Sequence, residues 1–412
     1  MSKQRILICG IAMECAGTEK AFLSLADRID YDRYDVTLLL SCREGKLLQM
    51  LPPRIRVVGP MRYGEMFRLS SQNVTRVLLK TVIRRHPFSA FRIASYYLKQ
   101  KRDPEHRADY ATAMWVELMK RYCPTYAEEF GEKEPFDACL AFWGDRTMFY
   151  MCDKVQAKKK LAWLHFDYAH PKRPDDIYLS YFERCNAVIN VTKTCTDSLR
   201  AALPSISDKC MTIENLISPS KIRALADNNR QPFPDPCRKG IRLLTVARIC
   251  EQKGSDRIPA ALKALTDAGH DVRWYLLGTG EESDLAALRA DAEAKGVSDR
   301  LIFLGTTQNP YPFIAACDIF VLPSRYEGRP ITIEEAKILA RPIVVCDYLS
   351  AAEQLDNGAY GVICPQSAEG LAAGILSLLD NPQKCSALSE LLSSRDFSTN
   401  SEYKKLENLL NE

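Results

Sequence analysis

No run of eighteen apolar residues occurs in the 412-residue chain. The longest candidate, 313–322, is short and holds Asp318, so a membrane-spanning helix is not expected. The amino terminus lacks a signal-peptide core as well. Its apolar run, 6–9, stops at Gly10 and reads as a first strand. Although there are fifteen cysteines, no Cys-x-x-Cys and no histidine at metal spacing accompanies them. Cys9, Cys139 and Cys346 fall in expected core strands. That pattern suits reduced, buried thiols in a cytoplasmic protein and speaks against a zinc site. The first turn lacks the glycine triad of a dinucleotide fingerprint, which disfavours an NAD oxidoreductase. No winged-helix, RNP or zinc pattern is present, so nucleic acid is not an expected partner.

Net charge is small, +4, but it is unevenly spread. Between residues 54 and 107 thirteen Lys and Arg face three acids, Glu65, Asp103 and Glu105, a local +10. In 74–85, Val74, Val77, Leu78 and Val82 share one helical face opposite Arg76, Lys80 and Arg84. Beyond Pro87, Phe88, Phe91, Tyr96 and Tyr97 alternate with Arg92, Lys99, Lys101 and Arg102. Segment 74–102 therefore suits peripheral contact with an anionic bilayer. A basic rim over an acidic or phosphorylated acceptor, or a solvated helix pair, fits the same pattern.

At this length two domains are the default. Strands expected at 5–9, 35–40 and 55–58, with a helix at 18–29, open a doubly wound α/β sheet. Helices dominate from 61 to 126, and the strand–helix rhythm then returns at 136–142, 161–164 and 186–191. In such sheets ligands sit beyond the carboxyl ends of strands, where Trp143, His165 and Thr192 fall. Asp30-Tyr31-Asp32 lies between a helix and a strand and reads as a polar turn, not a metal site. The boundary is placed between 205 and 240, giving domains 1–210 and 211–397, with a last helix from about 398 returning to the first domain.

The most informative stretch is 324–345. A strand, 319–322, enters a turn, and Pro330 takes the position of a helix's first proline. Ile331, Glu335, Ile338 and Leu339 share one face of the following helix, which puts Glu335 inside the apolar stripe. A carboxylate there needs a donor, for which a ligand hydroxyl is one candidate. Glu327 precedes the helix start by a short turn. Earlier, a strand at 241–247 leads into Arg248 and Lys253, with Ser255 expected to cap the next helix. Two cations between a parallel strand and a helix start form a ready diphosphate clamp. A solvated basic loop is the plainer alternative.

Glu-x7-Glu in this setting, followed by Arg341-Pro342-Ile343-Val344-Val345, resembles family 4 of the retaining glycosyltransferases. So does Arg248-x4-Lys253-Gly254. The resemblance implies a GT-B fold, two Rossmann-like domains facing across a cleft, the first binding acceptor and the second nucleotide-sugar. It also implies that Arg248 and Lys253 hold the donor diphosphate, that Glu327 contacts the sugar and that Glu335 binds ribose. Gly328, Arg329, Pro330 and Ile331 line the donor site in this picture, and Thr306 opens a loop reading the base. Ala16-Gly17-Thr18-Glu19 is similar to the family's Gly-Gly-x-Glu loop, with Ala16 in place of the first glycine. His165, in Trp-Leu-His-Phe-Asp, matches the histidine that touches the transferred sugar. The implied reaction is sugar transfer from a UDP- or GDP-sugar to a glycan or lipid-linked acceptor, without metal or cofactor, in capsule or exopolysaccharide assembly at the inner membrane face. A same-fold nucleotide-sugar epimerase and a non-catalytic sugar-nucleotide binder are the alternatives.

Overall fold

A computed structural model describes residues 3–68, 82–228, 231–234 and 240–411. Most of the helix expected over 74–85 lies outside them. The chain divides into two compact units, Met1–Glu214 with Ser401–Glu412, and Asn215–Asn400.

The first unit holds strands β1 (Gln4–Gly10), β2 (Tyr34–Leu40), β3 (Arg56–Val58), β4 (Phe136–Ala141), β5 (Ala157–Leu164), β6 (Ala187–Asn190) and β7 (Cys210–Thr212). They form one parallel sheet in the order β3-β2-β1-β4-β5-β6-β7. Both faces are covered by helices, so its central strands read as unbroken apolar runs. The inserted helices Ser89–Arg102 and Arg107–Tyr122 interrupt the alternation between β3 and β4. Arg107–Tyr122 brings Met114, Trp115 and Met119 into the core beside Phe149 and Tyr150. The indole of Trp115 donates to the Met66 carbonyl at 2.8 Å, which satisfies its buried N–H.

The final helix, Asn400–Asn411, belongs to this unit. Its last carbonyls lack partners inside the helix. Lys159, from β5, supplies them, reaching Leu409 and Leu410 at 3.3 Å.

The second unit holds β8 (Ile241–Val246), β9 (Val272–Leu277), β10 (Leu301–Gly305), β11 (Ile319–Leu322), β12 (Ile343–Cys346) and β13 (Val362–Cys364). Their order is β10-β9-β8-β11-β12-β13, all parallel. Strand order reverses between β8 and β11, so the loops after these two strands diverge from a switch point, where open α/β sheets bind ligands. In the first unit the corresponding point lies between β1 and β4.

Local details differ from expectation. Pro330 is the residue before the helix, with ψ 117°, and the helix runs Ile331–Ile338. Ser255 does not cap. It begins a 3-10 turn after the left-handed Gly254, and the α-helix starts at Ile258. β5 starts four residues earlier than expected, in the lysine-bearing segment 157–160. Every described cysteine is a free thiol. Among the described residues no helix is long and apolar enough to cross a membrane.

Candidate functional site

The loop after β8 carries Arg248 and Lys253, and the loop after β11 carries Ser324 to Glu327. Lys253 Nζ meets Glu327 Oε1 at 2.6 Å. Ser324 Oγ donates to the same oxygen at 2.6 Å. Glu327 is 7% exposed, so its charge needs these partners. Arg248 donates to Gln252 Oε1 at 3.2 Å, and Gln252 Nε2 donates to the Tyr326 carbonyl at 3.2 Å. A backbone bond from Arg325 to the Gln252 carbonyl, 2.9 Å, ties the loops again. Arg325 also forks onto Asp256 with two bonds of 2.7 Å. That pairing holds the Asp256 carboxyl below its ordinary range, the Arg325 hydrogen bond contributing most.

The loops touch backbone to backbone at Gly254. Its φ is +66°, and a Cβ there would stand 2.0 Å from the Pro323 carbonyl oxygen. Glycine is needed on both counts, conformation and space.

The helix Ile331–Ile338 follows at once. Glu335 is 1% exposed. It accepts a hydrogen bond from Tyr311, whose hydroxyl is pushed far up by burial and then by the Glu335 charge, so it remains a donor. Tyr311 begins the helix after the loop that Thr306 opens, and Thr306 itself is exposed.

Arg329 enters a buried ion cluster. Its guanidinium pairs with Glu334 at 2.9 Å, and Lys337 pairs with the other Glu334 oxygen at 2.6 Å. Gln354 Nε2 donates to Glu334 at 3.0 Å and to the Pro330 carbonyl at 2.9 Å. Burial pushes the Glu334 carboxyl up, but Arg329 and Lys337 outweigh it and hold the group below its ordinary range. Ser350 Oγ donates to the Gly328 carbonyl at 2.6 Å. Gly328 and Pro330 are thus held from behind by a buried polar network, and Ile331 follows them at the helix start.

The structure therefore joins Arg248, Lys253 and Glu327 through direct and one-residue links. Glu335 and Arg329 to Ile331 adjoin them on the next turn and helix. Gln252, Ser324, Tyr311 and Glu334 take part without having been singled out in the sequence. For Gln252 and Ser324 position in the two loops was an available signal; Tyr311 lies after β10, where the loop that Thr306 opens ends.

Gly17 and His165 belong to the first unit. Gly17 begins the helix Gly17–Ala26, with Ala16 in extended backbone before it. Glu19 on that helix accepts the Trp143 indole N–H at 3.2 Å, which joins the loops after β1 and β4 at this unit's switch point. His165 follows β5 at 4.6 Å from the Phe142 ring and stacks parallel to Trp163. Asp30 and Asp32 sit in a turn: Asp30 Oδ1 accepts the Asp32 amide at 3.0 Å, and Arg54 takes the Asp32 carboxylate.

Residues 229–391 match the family described as glycosyl transferases group 1. The matched stretch contains all the paired loops of the second unit. Among curated relatives, the chain is 30% identical over 145 residues to an alpha-D-kanosaminyltransferase of Streptomyces kanamyceticus, covering 34% of this chain and 37% of that one. It is 27% identical over 152 residues to the amylovoran biosynthesis glycosyltransferase AmsK of Erwinia amylovora, covering 35% and 37%. The chain thus spans well under half the length of these relatives. Among solved structures, Anabaena Alr3699/HepE in complex with UDP and glucose superposes with a TM-score of 0.69, at 15% identity and over 99% of both chains. The fold is GT-B, two parallel-sheet α/β units.

Proposed function

We propose that the protein is a retaining, metal-independent glycosyltransferase of the hexosyl type. It moves a sugar from a UDP- or GDP-sugar to a glycan or lipid-linked acceptor in capsule or exopolysaccharide assembly. The observation that carries this reading is the direct pairing of Lys253 with Glu327 at the switch point of the second sheet, at 2.6 Å, beside Arg248. The match of this unit to group 1 glycosyl transferases, and the UDP bound in the Anabaena structure, support it.

When the sugar–phosphate bond breaks, the departing nucleotide diphosphate gains negative charge. Cations fixed beforehand stabilise that charge more in the transition state than in the ground state. Arg248 offers a planar fork and Lys253 a point charge. Glu327 holds Lys253 in place and contacts the donor sugar, and Glu335 takes the ribose hydroxyls, exchanging Tyr311 for ligand. His165 contacts the transferred sugar. The acceptor hydroxyl attacks from the leaving group's face, and the departing phosphate takes its proton. The protein works at the inner membrane face, held peripherally through the basic helix Ser89–Arg102.

Turnover of a panel of nucleotide-sugars with membrane extract as acceptor tests the reading. Arg248→Ala is expected to lower kcat/KM by about 10² to 10³. Glu335→Gln should lower it by about tenfold or more, the loss of one hydrogen bond to a charged group. Wild-type turnover in both variants would remove the site assignment. A free donor isomer formed without acceptor would replace transfer by epimerisation.

A further inference from the structure

The first unit carries a second built pocket, apart from the loops described above. It lies at the carboxyl ends of β2 and β3, has a volume of about 650 Å³, and is lined by Arg43, Arg62, Arg84 and Arg85 together with Glu44 and Glu65. We propose that this pocket holds a phosphate or diphosphate group carried by the acceptor; the word acceptor rests on the glycosyl-transfer reading, and the anion site does not.

Three observations support an anion. The first is charge: four arginines face two carboxylates, and Glu44 is already paired to Arg68. Among the described residues Arg43 and Arg84 make no ion pair. Arg62 and Arg85 are exposed, and Arg85 lies over the Tyr63 ring at 5.3 Å. Arginine forks match phosphate oxygens two at a time, and the cluster concentrates such donors.

The second is rigidity. The Met61 amide donates to the Ser41 carbonyl at 3.0 Å, the Cys42 amide to Ile11 at 2.8 Å and the Met13 amide to Glu44 at 2.8 Å. A Cβ on Gly64 would stand 1.8 Å from the Ser41 carbonyl oxygen. The loops after β1, β2 and β3 are thus stitched into one floor at the carboxyl end of the sheet, beside its switch point. The third is size: the volume lies in the range of small-ligand sites.

Cys42, Glu44 and Glu65 stand close enough to suggest a metal ion instead. The Cys42 thiol points its hydrogen at Glu65, 3.7 Å away, and Glu44 is spent on Arg68. The free charge at the pocket is therefore positive.

Inorganic pyrophosphate, titrated calorimetrically into the full chain, is the probe. The background carries Arg248→Ala and Lys253→Ala, which removes the diphosphate clamp of the second unit. One site is expected to remain. Adding Arg43→Ala and Arg84→Ala should weaken it about 100-fold, roughly tenfold for each guanidinium removed. Unchanged thermal unfolding is the folding control. Retention on phosphatidylcholine vesicles doped with farnesyl diphosphate that is lost in the same pair, while retention on phosphatidylserine vesicles is left unchanged by that pair, assigns a lipid-borne phosphate. Pyrophosphate binding without that retention assigns a soluble phosphorylated glycan. No pyrophosphate site in the clamp-deficient background, or one indifferent to Arg43 and Arg84, overturns the proposal. Binding of UDP to the wild-type chain, measured separately, tests the donor reading, so the two fail independently.

Discussion

Glu334 sits in the interior with two cations and a glutamine on its carboxylate, so its charge is balanced locally and nowhere else. Removing that charge strands Arg329 and Lys337, and breaking a buried pair typically costs about 3–5 kcal/mol. The Glu334 carboxyl is held below its ordinary value in the folded chain. Its contribution is therefore complete above the unfolded value and fades as pH falls through the lower, folded one. Glu334→Gln should lower the calorimetric unfolding temperature of the second unit by about 10 °C at pH 7. The gap to wild type should narrow below about pH 4. A gap that stays constant from neutral to acid pH would show that the loss is one of packing and not of charge.

Elements meet where loops must approach more closely than side chains permit, and Gly254 is such a place. Gly254→Ala places a methyl 2.0 Å from the Pro323 carbonyl oxygen at a φ of +66°. The strained conformation alone costs about 1–2 kcal/mol, and the clash must be relieved by separating the two loops. Lys253, the neighbouring residue, then leaves Glu327. Nucleotide titration should show donor affinity reduced by about tenfold, alongside a stability loss of at least the roughly 1–2 kcal/mol of strain. Stability loss with full affinity would uncouple the loops from the ligand. The strands framing this junction were legible because a parallel strand covered on both faces is a continuous apolar run, as in Ile319–Leu322 and Ile343–Cys346. The two glutamates were legible through their spacing. The division of labour around them was not. Glu334 and Glu335 are adjacent, and the helix is buried on nearly every side, so no apolar stripe distinguishes the ion-paired carboxylate from the one facing Tyr311. The start of β5 was hidden for a related reason, since its lysines look exposed until Lys159 is seen to serve the carbonyls of a helix 250 residues away.

At the scale of the whole molecule, four of the six exposed large apolar side chains among the described residues lie on or immediately before one helix, Ser89–Arg102. Phe88 is 94% and Phe91 85% exposed, with Tyr97 and Leu98 nearby, while Ile93 on the opposite face is buried. Arg92, Lys99, Lys101 and Arg102 share this helix, and Lys101 lies over the Tyr97 ring at 5.0 Å. Rings projecting into water beside cations suit the peripheral contact with an anionic bilayer proposed above. Sinking about half of each phenylalanine into lipid yields roughly 1–1.5 kcal/mol per ring. Each basic residue near the surface adds about 1 kcal/mol, screened by salt. Sedimentation with phosphatidylserine vesicles should therefore retain the wild-type chain at low ionic strength and release most of it near 1 M salt, where screening is nearly complete. Phe88→Ser with Phe91→Ser should reduce retention by more than about tenfold while leaving the unfolding temperature unchanged, because neither ring packs in the interior. Equal retention of this double variant would place the bilayer contact elsewhere, and no retention of wild type at low salt would remove it.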